Sequence, residues 1–221
     1  MATSTAPEGD DKASTTIAFL GPFNSYSNQA TKIAFPDPKW QLEPTVTIKE
    51  VFDRVQSGPS PYGVVPFENS THGAVTFTLD CLADRAAEYP DIVVCGEVYL
   101  DVHHFLLGRF PPSPAGGDGD DGTRKGVPLG DLSHVARVFS HPQGFGQSGA
   151  FLRRYLPRAE LVDVSSTSRA AELAAADGEG ASAAIASEWA GKAAGLDVLA
   201  RCVEDREDNT TRFFVLRKRG E

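Results

Sequence analysis

The first regular pattern along the chain is an amphipathic helix that begins at Thr47. Thr47 and Glu50 form an S/T-x-x-E capping box, in which each side chain accepts a hydrogen bond from a free backbone N–H of the first turn. The apolar positions that follow have the i, i+3, i+4, i+7 spacing of one helix face; they are Ile48, Val51, Phe52 and Val55. Gly58 and Pro59 then end the helix.

The rest of the chain alternates between apolar runs typical of strands and helical patterns. Apolar runs bounded by Gly, Pro or polar clusters predict strands at residues 17–20, 62–67, 92–102, 136–140, 160–164, 181–186, 197–203 and 212–216. Helical spacing predicts further helices at about residues 28–35, 79–86, 147–156, 168–176 and 187–194. Because strands and helices alternate, the predicted fold class is α/β.

Two segments lack this alternation. Residues 1–15 are polar and have no apolar spacing, so they are predicted to form a disordered tail. Residues 111–126 are rich in Gly, Pro and Asp, which is typical of a solvated surface loop. The folded domain is therefore expected at residues 16–217.

Composition narrows the possible partners. Hydrophobic residues make up 41% of the chain, which is enough for a real core. The net charge is 21 − 30 = −9, which argues against a nucleic-acid or membrane-surface binder. A local cluster of donors would still suffice for a small anion.

The cysteines and the N-terminus indicate a cytoplasmic protein. Cys81, Cys95 and Cys202 are far apart, form no C-x-x-C pair and lie in apolar runs, so we expect buried, reduced thiols. The first 15 residues lack the basic start and apolar run of a signal peptide. No stretch approaches the ~20 apolar residues of a membrane span.

Several familiar cofactor motifs are absent. The sequence contains no GxxxxGK[ST], HExxH or GxSxG. His103 and His104 are adjacent on a predicted strand, where their side chains would point to opposite faces, so they are a poor metal site. We therefore predict chemistry without a metal or other cofactor.

Polar clusters follow four of the predicted strands, where each opens a helix or turn. The clusters are Ser25-Tyr26-Ser27, Glu68-Asn69-Ser70-Thr71, His141-Pro142-Gln143 and Ser165-Ser166-Thr167. Any one of them is more often a plain helix N-cap. Ligand crevices of α/β sheets lie at the carboxyl ends of strands, where helix N-termini favour anions. Four clusters together therefore favour a small anionic ligand held largely by neutral donors.

A fifth polar cluster, Asn209-Thr210-Thr211-Arg212-Phe213, opens the last predicted strand. Arg212 can bind a carboxylate with two parallel hydrogen bonds. Thr211 can donate one hydrogen bond, and Phe213 can pack on a flat ring.

With this cluster the chain resembles the catalytic domain of the prephenate dehydratase family. The matching segments are Leu20-Gly21-Pro22 with Ser25-Tyr26-Ser27, Gly63 to Ser70, Ser140-His141-Pro142-Gln143 with Gln147, Ser166-Thr167, and Asn209 to Phe213. They occur in the family's order and span residues 17–217. The VPxENS and NxTRF elements are the most specific of them.

The resemblance implies two α/β lobes like those of a type 2 periplasmic-binding-protein core, with the active site in the cleft between them. The first lobe would contain residues 16–101 and a segment that returns at about residue 190 and runs to 217. The second lobe would contain residues 102–189. Relatives pair, so a homodimer is expected, with prephenate as the small-molecule substrate and neither nucleic acid nor membrane as a partner.

The resemblance also implies roles for individual residues. Thr211 would donate to the departing hydroxyl, Arg212 would bind a carboxylate or pair with Glu68 or Asp205, and Phe213 would shape the ring pocket. His141 is a second acid candidate, although a structural turn histidine is an equal reading. The predicted substrate-binding residues are Ser25, Tyr26, Asn69, Ser70, Thr71, Gln143, Gln147, Ser166 and Thr167.

The chain departs from the family pattern in several places. Phe23-Asn24-Ser25 stands where relatives often have Glu-Gly-Thr, and Asn28 where they often have His. The printed sequence ends at Glu221, without the phenylalanine-sensing ACT domain of many relatives, so we expect no allosteric response to phenylalanine. Three alternatives stay open: arogenate dehydration, non-aromatising prephenate decarboxylation, and a silent anion-binding module.

Overall fold

The structure is a computed structural model and describes residues 15–111 and 124–220. The predicted tail lies outside the described residues except at residue 15, as does most of the predicted loop at 111–126. Strands and helices alternate along the described chain and form two sheets, which confirms the predicted α/β class. Within these two ranges, no helix has the length and apolar character needed to cross a bilayer.

The first lobe contains one six-stranded sheet and three helices. Its elements are β1 (Thr16–Leu20), α1 (Tyr26–Ala34), β2 (Gln41–Thr45), α2 (Ile48–Ser57), β3 (Tyr62–Asn69), β4 (Gly73–Ala74), α3 (Thr76–Ala83), β5 (Ile92–Asp101) and the last strand of the chain, β11 (Thr210–Lys218). The strand order is β2-β1-β3-β11-β5, with β4 paired to β3. β1 is parallel to β2 and β3, whereas β11 is antiparallel to both of its neighbours.

The second lobe has a five-stranded sheet. Its elements are β6 (Phe105–Gly108), β7 (Arg137–Ser140), α4 (Pro142–Gln147), α5 (Gly149–Tyr155), β8 (Glu160–Asp163), α6 (Thr167–Ala176), β9 (Ser182–Ala186), α7 (Glu188–Ala194) and β10 (Asp197–Ala200). The strand order is β10-β6-β9-β7-β8, in which β7, β8 and β9 are parallel. β9 is buried along its whole length, which explains its small residues.

The predicted helix at Thr47 is confirmed as α2. The Thr47 hydroxyl accepts a hydrogen bond from the N–H of Glu50 at 3.1 Å, and the Glu50 carboxylate accepts one from the N–H of Val46 at 2.9 Å. All four apolar positions of the predicted stripe are buried. Gly58 ends the helix at a φ of +96°, a left-handed conformation that glycine adopts without strain.

The chain crosses between the lobes twice. The first crossing is at residues 102–104, and the second lies between β10 and β11, at residues 201–209. The expected return at about residue 190 is too early, because α7 packs on the second lobe and β10 pairs with β6. The apolar pattern of β10 would suit a strand of either sheet, so the sequence alone does not say to which lobe β10 belongs. Its pairing with β6 places it in the second lobe.

The cysteines partly contradict the sequence analysis. Cys81 and Cys202 are half-buried, but Cys95 is exposed on the edge strand β5. An apolar run on an edge strand leaves one face open to solvent, so the expectation of three buried thiols is wrong for Cys95, and it is met only in part by Cys81 and Cys202.

Candidate active site

A cleft of about 450 Å³ lies between the two lobes. This volume is in the range of about 300–1,000 Å³ typical of small-molecule sites. It opens at the carboxyl ends of β1 and β3 in the first lobe and of β7 and β8 in the second. Of the residues predicted to form a site, nine line it: Ser25, Tyr26, Asn69, His141, Gln143, Gln147, Ser166, Thr167 and Thr211.

The cleft is polar but uncharged. None of the described residues that line it is Asp, Glu, Lys or Arg. Its polar groups are hydroxyls, side-chain amides and imidazoles, and Leu20, Ile48, Val75 and Val102 supply apolar surface. The predicted anion site built from neutral donors stays a prediction, and the side chains that line the cleft are of the predicted kind.

The Asn69 side chain donates a hydrogen bond to the side chain of Thr211. The Asn69 side-chain nitrogen donates to the Asn209 side-chain oxygen at 2.8 Å and to the Thr211 hydroxyl oxygen at 2.9 Å. Because the Thr211 oxygen already accepts a hydrogen bond, its own proton remains available to a ligand. The Asn69 oxygen accepts from the N–H groups of Thr71 and His72 at 3.0 and 3.1 Å.

Ser70 and Thr71 do not line the cleft. The Ser70 hydroxyl donates to the Asp208 carbonyl at 2.8 Å and accepts from the Thr210 N–H at 2.9 Å. Ser70 therefore ties the turn after β3 to the start of β11. The Thr71 side chain is exposed. Both were predicted to bind substrate, and the structure instead places them in the turn that supports Asn69.

Arg212 lies on the opposite face of β11 from Thr211, because neighbouring residues of a strand alternate. Its Nε donates to a Glu97 carboxylate oxygen at 2.8 Å, so its partner is neither Glu68 nor Asp205. Its guanidinium also lies over the rings of Phe67, Tyr99 and Phe214, at 5.5, 5.7 and 5.0 Å from their centroids. The structure does not bring Arg212 to the cleft.

Phe213 is 1% exposed and does not line the cleft either. It packs in the core of the first lobe with Ile17, Phe19 and Val64. Phe213 follows Thr211 by two positions on β11. Between Arg212 and Phe213, the pairing register of β11 with β3 shifts. The expected role in shaping the ring pocket is therefore replaced by a role in the core.

Three of the predicted site residues begin helices. Ser25 accepts from the N–H of Asn28 at 3.2 Å, and Ser166 accepts from the N–H of Arg169 at 3.0 Å. His141 accepts through Nδ1 from the N–H of Gln143 at 3.2 Å. These residues cap helices and also line the cleft. The capping reading is confirmed, and a role toward substrate stays a prediction.

The environment of His141 limits its use as an acid. Burial lowers the pKa of His141, and the charge of Asp163 opposes that shift. Since Nδ1 accepts the capping hydrogen bond, the proton of the neutral ring is on Nε2. His141 is thus a neutral donor in the cleft.

His72 and His104 also line the cleft, although neither is among the predicted site residues. His72 directly follows the Asn69-Ser70-Thr71 cluster, so its position next to that cluster is a usable signal. His104 has only the weak signal of a histidine pair on a strand. It lies after β5, in the first crossing between the lobes, and its ring is directed at Gln147.

One group of described side chains has the composition of a metal site. Potential ligand atoms of His103, Cys202 and Glu204 lie within 4.8 Å of one another, where the two crossing segments meet. His103 Nδ1 and a Glu204 carboxylate oxygen are 2.8 Å apart, a hydrogen bond that uses two of the three groups. The absence of a metal or cofactor remains a prediction.

The family model for prephenate dehydratase matches residues 17–221. A bifunctional chorismate mutase/prephenate dehydratase of Neisseria gonorrhoeae is 39% identical over 201 residues, which cover 91% of this chain and 49% of the relative. The prephenate dehydratase of Methanocaldococcus jannaschii is 29% identical and is covered to 65%. The chain thus spans about half to two thirds of these relatives' length.

A solved structure supports the same assignment. The prephenate dehydratase of Arthrobacter aurescens in complex with L-Phe superposes with a TM-score of 0.74 at 26% identity, over 93% of this chain and 60% of that one. The chain belongs to the prephenate dehydratase family.

Proposed function

We propose that this chain converts prephenate into phenylpyruvate, carbon dioxide and water, on the route to phenylalanine. The observation that carries the proposal is the Asn69–Thr211 hydrogen bond, which leaves the Thr211 proton free at the edge of an uncharged cleft. The family relationship gives the reaction, and the geometry gives a group that can assist it.

The reaction breaks two bonds of prephenate. The ring carboxylate leaves as carbon dioxide, and the electron pair of that C–C bond enters the ring. The C–O bond at position 4 breaks with its electron pair on oxygen, which takes up a proton and leaves as water. Aromatisation of the ring drives both steps.

Thr211 assists the departing oxygen as a hydrogen-bond donor. Its hydroxyl is far too weak an acid to give up its proton outright, so its contribution is a positioned hydrogen bond that strengthens as charge develops on the oxygen. Asn69 fixes the direction of that hydrogen bond, because it occupies an acceptor site of the Thr211 oxygen.

The carboxylates are bound by neutral donors. Ser166, Thr167 and Gln143 line the second-lobe side of the cleft at the N-termini of α6 and α4, and Gln147 lines it from the last residue of α4. Neutral donors and apolar surface such as Val75 solvate the ring carboxylate less well than water or a guanidinium does. Its loss as carbon dioxide is thereby favoured.

The direct test is to mix the purified chain with prephenate and follow the ultraviolet absorption of phenylpyruvate. Decarboxylation without aromatisation would release carbon dioxide without that product. If arogenate is the preferred substrate, the chain should form phenylalanine from arogenate with a higher kcat/KM than it forms phenylpyruvate from prephenate. If the chain binds prephenate tightly but does not convert it, the chain is the silent binding module and not an enzyme.

We also propose that the chain forms a homodimer in the cytoplasm. β5 is an edge strand of ten residues, and Val94 and Tyr99 on it are exposed. An open apolar edge favours pairing with a second copy. Light scattering after size-exclusion chromatography tests the dimer, and cell fractionation tests the location.

A further inference from the structure

A line of hydrogen bonds crosses the cleft from the first lobe to the second. The Tyr26 hydroxyl is 2.8 Å from the His103 carbonyl oxygen and 3.2 Å from His104 Nδ1. His104 Nε2 is 2.6 Å from the Gln147 side-chain oxygen, and the Gln147 nitrogen is 3.0 Å from His72 Nε2. Each side chain in the line limits the direction of the next.

His104 is fixed in place by its backbone. Its N–H donates to a Glu204 carboxylate oxygen at 2.8 Å, and its carbonyl accepts from the Val203 N–H at 2.8 Å. The Glu204 side chain is 2% exposed, and the His104 residue is 2% exposed. The imidazole therefore reaches the cleft from a rigid point where the two crossing segments are joined.

The protonation states of the first two groups follow from burial. Burial lowers the pKa of His104, against hydrogen bonding to Gln147 and the charge of Glu204, so its ring is neutral and carries one proton. Burial, assisted by the charge of Glu204, raises the pKa of Tyr26, so Tyr26 keeps its proton as a donor. Tyr26 donates its one proton to the His103 carbonyl at 2.8 Å, and its contact to His104 Nδ1, at 3.2 Å, is the longer of the two.

One tautomer of His104 goes with this orientation of the Gln147 amide. The Gln147 side-chain oxygen can only accept, so at 2.6 Å from His104 Nε2 it requires the single proton of the neutral ring on Nε2, and Nδ1 then faces Tyr26 as an acceptor. The Gln147 nitrogen then points away from His104 and uses one N–H toward His72, which leaves its second N–H for a ligand of the cleft that Gln147 lines. A His104 ring with its proton on Nδ1 would favour the opposite amide orientation.

We propose that His104 and Tyr26 are positioning residues that hold the Gln147 amide with its nitrogen toward the cleft, where it donates to a substrate carboxylate. This inference rests on the proposed function for the identity of the ligand. Tyr26, which the sequence predicted to bind substrate directly, acts through His104 and Gln147 instead. A reversed amide would present an oxygen to the carboxylate and repel it.

The kinetic test is a double-mutant cycle between Tyr26→Phe and Gln147→Ala. We expect Gln147→Ala to raise KM by about 10-fold and Tyr26→Phe by about 3- to 10-fold, with kcat within about 2-fold, since a carboxylate donor is lost or reversed. In the Gln147→Ala background, Tyr26→Phe should have no further effect. An equal effect of Tyr26→Phe in both backgrounds, or none in either, would overturn the proposal.

The control is Tyr62→Phe, which removes a phenol oxygen from the Phe35–Trp40–Tyr62 aromatic group of the first lobe, outside the cleft. It should leave KM unchanged. Thermal unfolding of each variant shows whether the protein is folded. A KM effect of Tyr62→Phe equal to that of Tyr26→Phe would mean that loss of a phenol oxygen acts through the fold, which also contradicts the proposal.

A second measurement needs no turnover. Nitrogen-15 NMR of the histidine rings should show His104 protonated on Nε2 in the unaltered protein, and calorimetry should show weaker phenylpyruvate binding by Tyr26→Phe. A wild-type His104 protonated on Nδ1 would refute the proposal even in an active enzyme. If the protein does not convert prephenate, yet both results hold, the proposed reaction fails while the positioning role stands.

Discussion

Asn69 and Thr211 on the first-lobe wall of the cleft are held differently from Ser166 and His141 on the second-lobe wall. Thr211 is held by a side chain, because Asn69 bonds to both Asn209 and Thr211. On the second-lobe wall, Ser166 and His141 bond to backbone N–H groups at the starts of helices. A hydroxyl oriented by a side-chain network has one preferred direction, whereas a capping hydroxyl only has to satisfy the helix.

This difference suggests a division of labour. Stabilising a transition state needs a donor that is oriented in advance, because a group that must turn during the reaction loses much of its effect. Binding a carboxylate tolerates more freedom, because several donors share the charge. We therefore expect the first-lobe wall to control kcat and the second-lobe wall to control KM.

The largest expected effect is that of Thr211→Val, which keeps the shape and removes the donor. We predict a fall in kcat of about 10²- to 10³-fold with little change in KM, the loss typical of one transition-state hydrogen bond. Steady-state kinetics with prephenate measure it. Thr210→Val is the matched control, because the Thr210 hydroxyl bonds to Asp101 at 2.7 Å and does not line the cleft.

A Thr211→Val variant with near-normal kcat and a raised KM would reassign Thr211 to ground-state binding. It would also remove the distinction between the walls.

The sequence predicts which polar segments line the cleft, but it does not predict which of their neighbours lie outside it. Polar clusters after strands identify the cleft, because β1 and β3, like β7 and β8, are parallel to a neighbour and end at the same edge. Alternation along β11 separates Thr211 from Arg212. It does not say which face meets the cleft, since that depends on the partner strands.

Two features of the fold had no usable local pattern. β2 (Gln41–Thr45) was not predicted, because its sequence QLEPT is short and polar and contains a proline, which only an edge strand tolerates. The importance of His104 depends on Tyr26, Gln147 and Glu204, which are distant in sequence. Such a network becomes visible only when the lobes are placed together.

A pair of substitutions at Ser166 tests the second-lobe wall. Ser166→Ala should lower stability by about 1 kcal/mol through loss of the cap, whereas Ser166→Gly should cost only a few tenths. If the hydroxyl also donates to substrate, both variants should raise KM by about 3- to 10-fold and leave kcat unchanged. Kinetics beside thermal unfolding separate the two effects.

Ser187→Ala is the control for Ser166. Ser187 caps α7 by accepting from the Ala190 N–H at 3.2 Å, and it does not line the cleft. It should lower the melting temperature without changing KM. If KM rises together with the loss of stability in both the Ser166 and the Ser187 variants, the second-lobe wall affects binding only because its serines stabilise the helices.

Arg212 tests the reverse face of the first-lobe wall. Since its guanidinium bonds to Glu97 and lies over three rings, Arg212→Ala should lower the melting temperature by about 2–4 °C. Arg212→Lys should restore little, because an ammonium cannot stack on the rings. Prephenate binding per folded molecule should be unchanged in both.

Calorimetric titration and thermal unfolding measure the two quantities. Arg206→Ala is the matched control, since Arg206 pairs with Asp208 on an exposed surface and should change neither. Much weaker binding by Arg212→Ala at unchanged stability would return Arg212 to the list of substrate ligands and contradict its placement behind the sheet.

The smallest expected effect concerns His104, which joins the two walls. Its pKa in the folded protein lies below the ordinary 6.5, chiefly because burial disfavours the charged ring. Below pH 6.5 the unfolded chain therefore binds a proton that the folded chain does not. This contribution to stability is fully present above pH 6.5 and is lost as the pH falls, by at most about 1.4 kcal/mol per pH unit for one proton.

His104→Asn should therefore unfold more easily than the unaltered protein at pH 7.5, but lose less stability between pH 7.5 and 5.5. Urea unfolding at the two pH values measures both. Burial also lowers the pKa of His141, so part of the dependence remains, and His141→Asn, which keeps a capping side chain, should flatten it less because His141 is only half-buried. Glu204 and His103 adjoin His104 and are unchanged in both variants. An equal loss of stability in the unaltered protein and in His104→Asn would mean that the ring at the junction of the walls is not held neutral, and the fixed orientation of Gln147 would lose its physical basis.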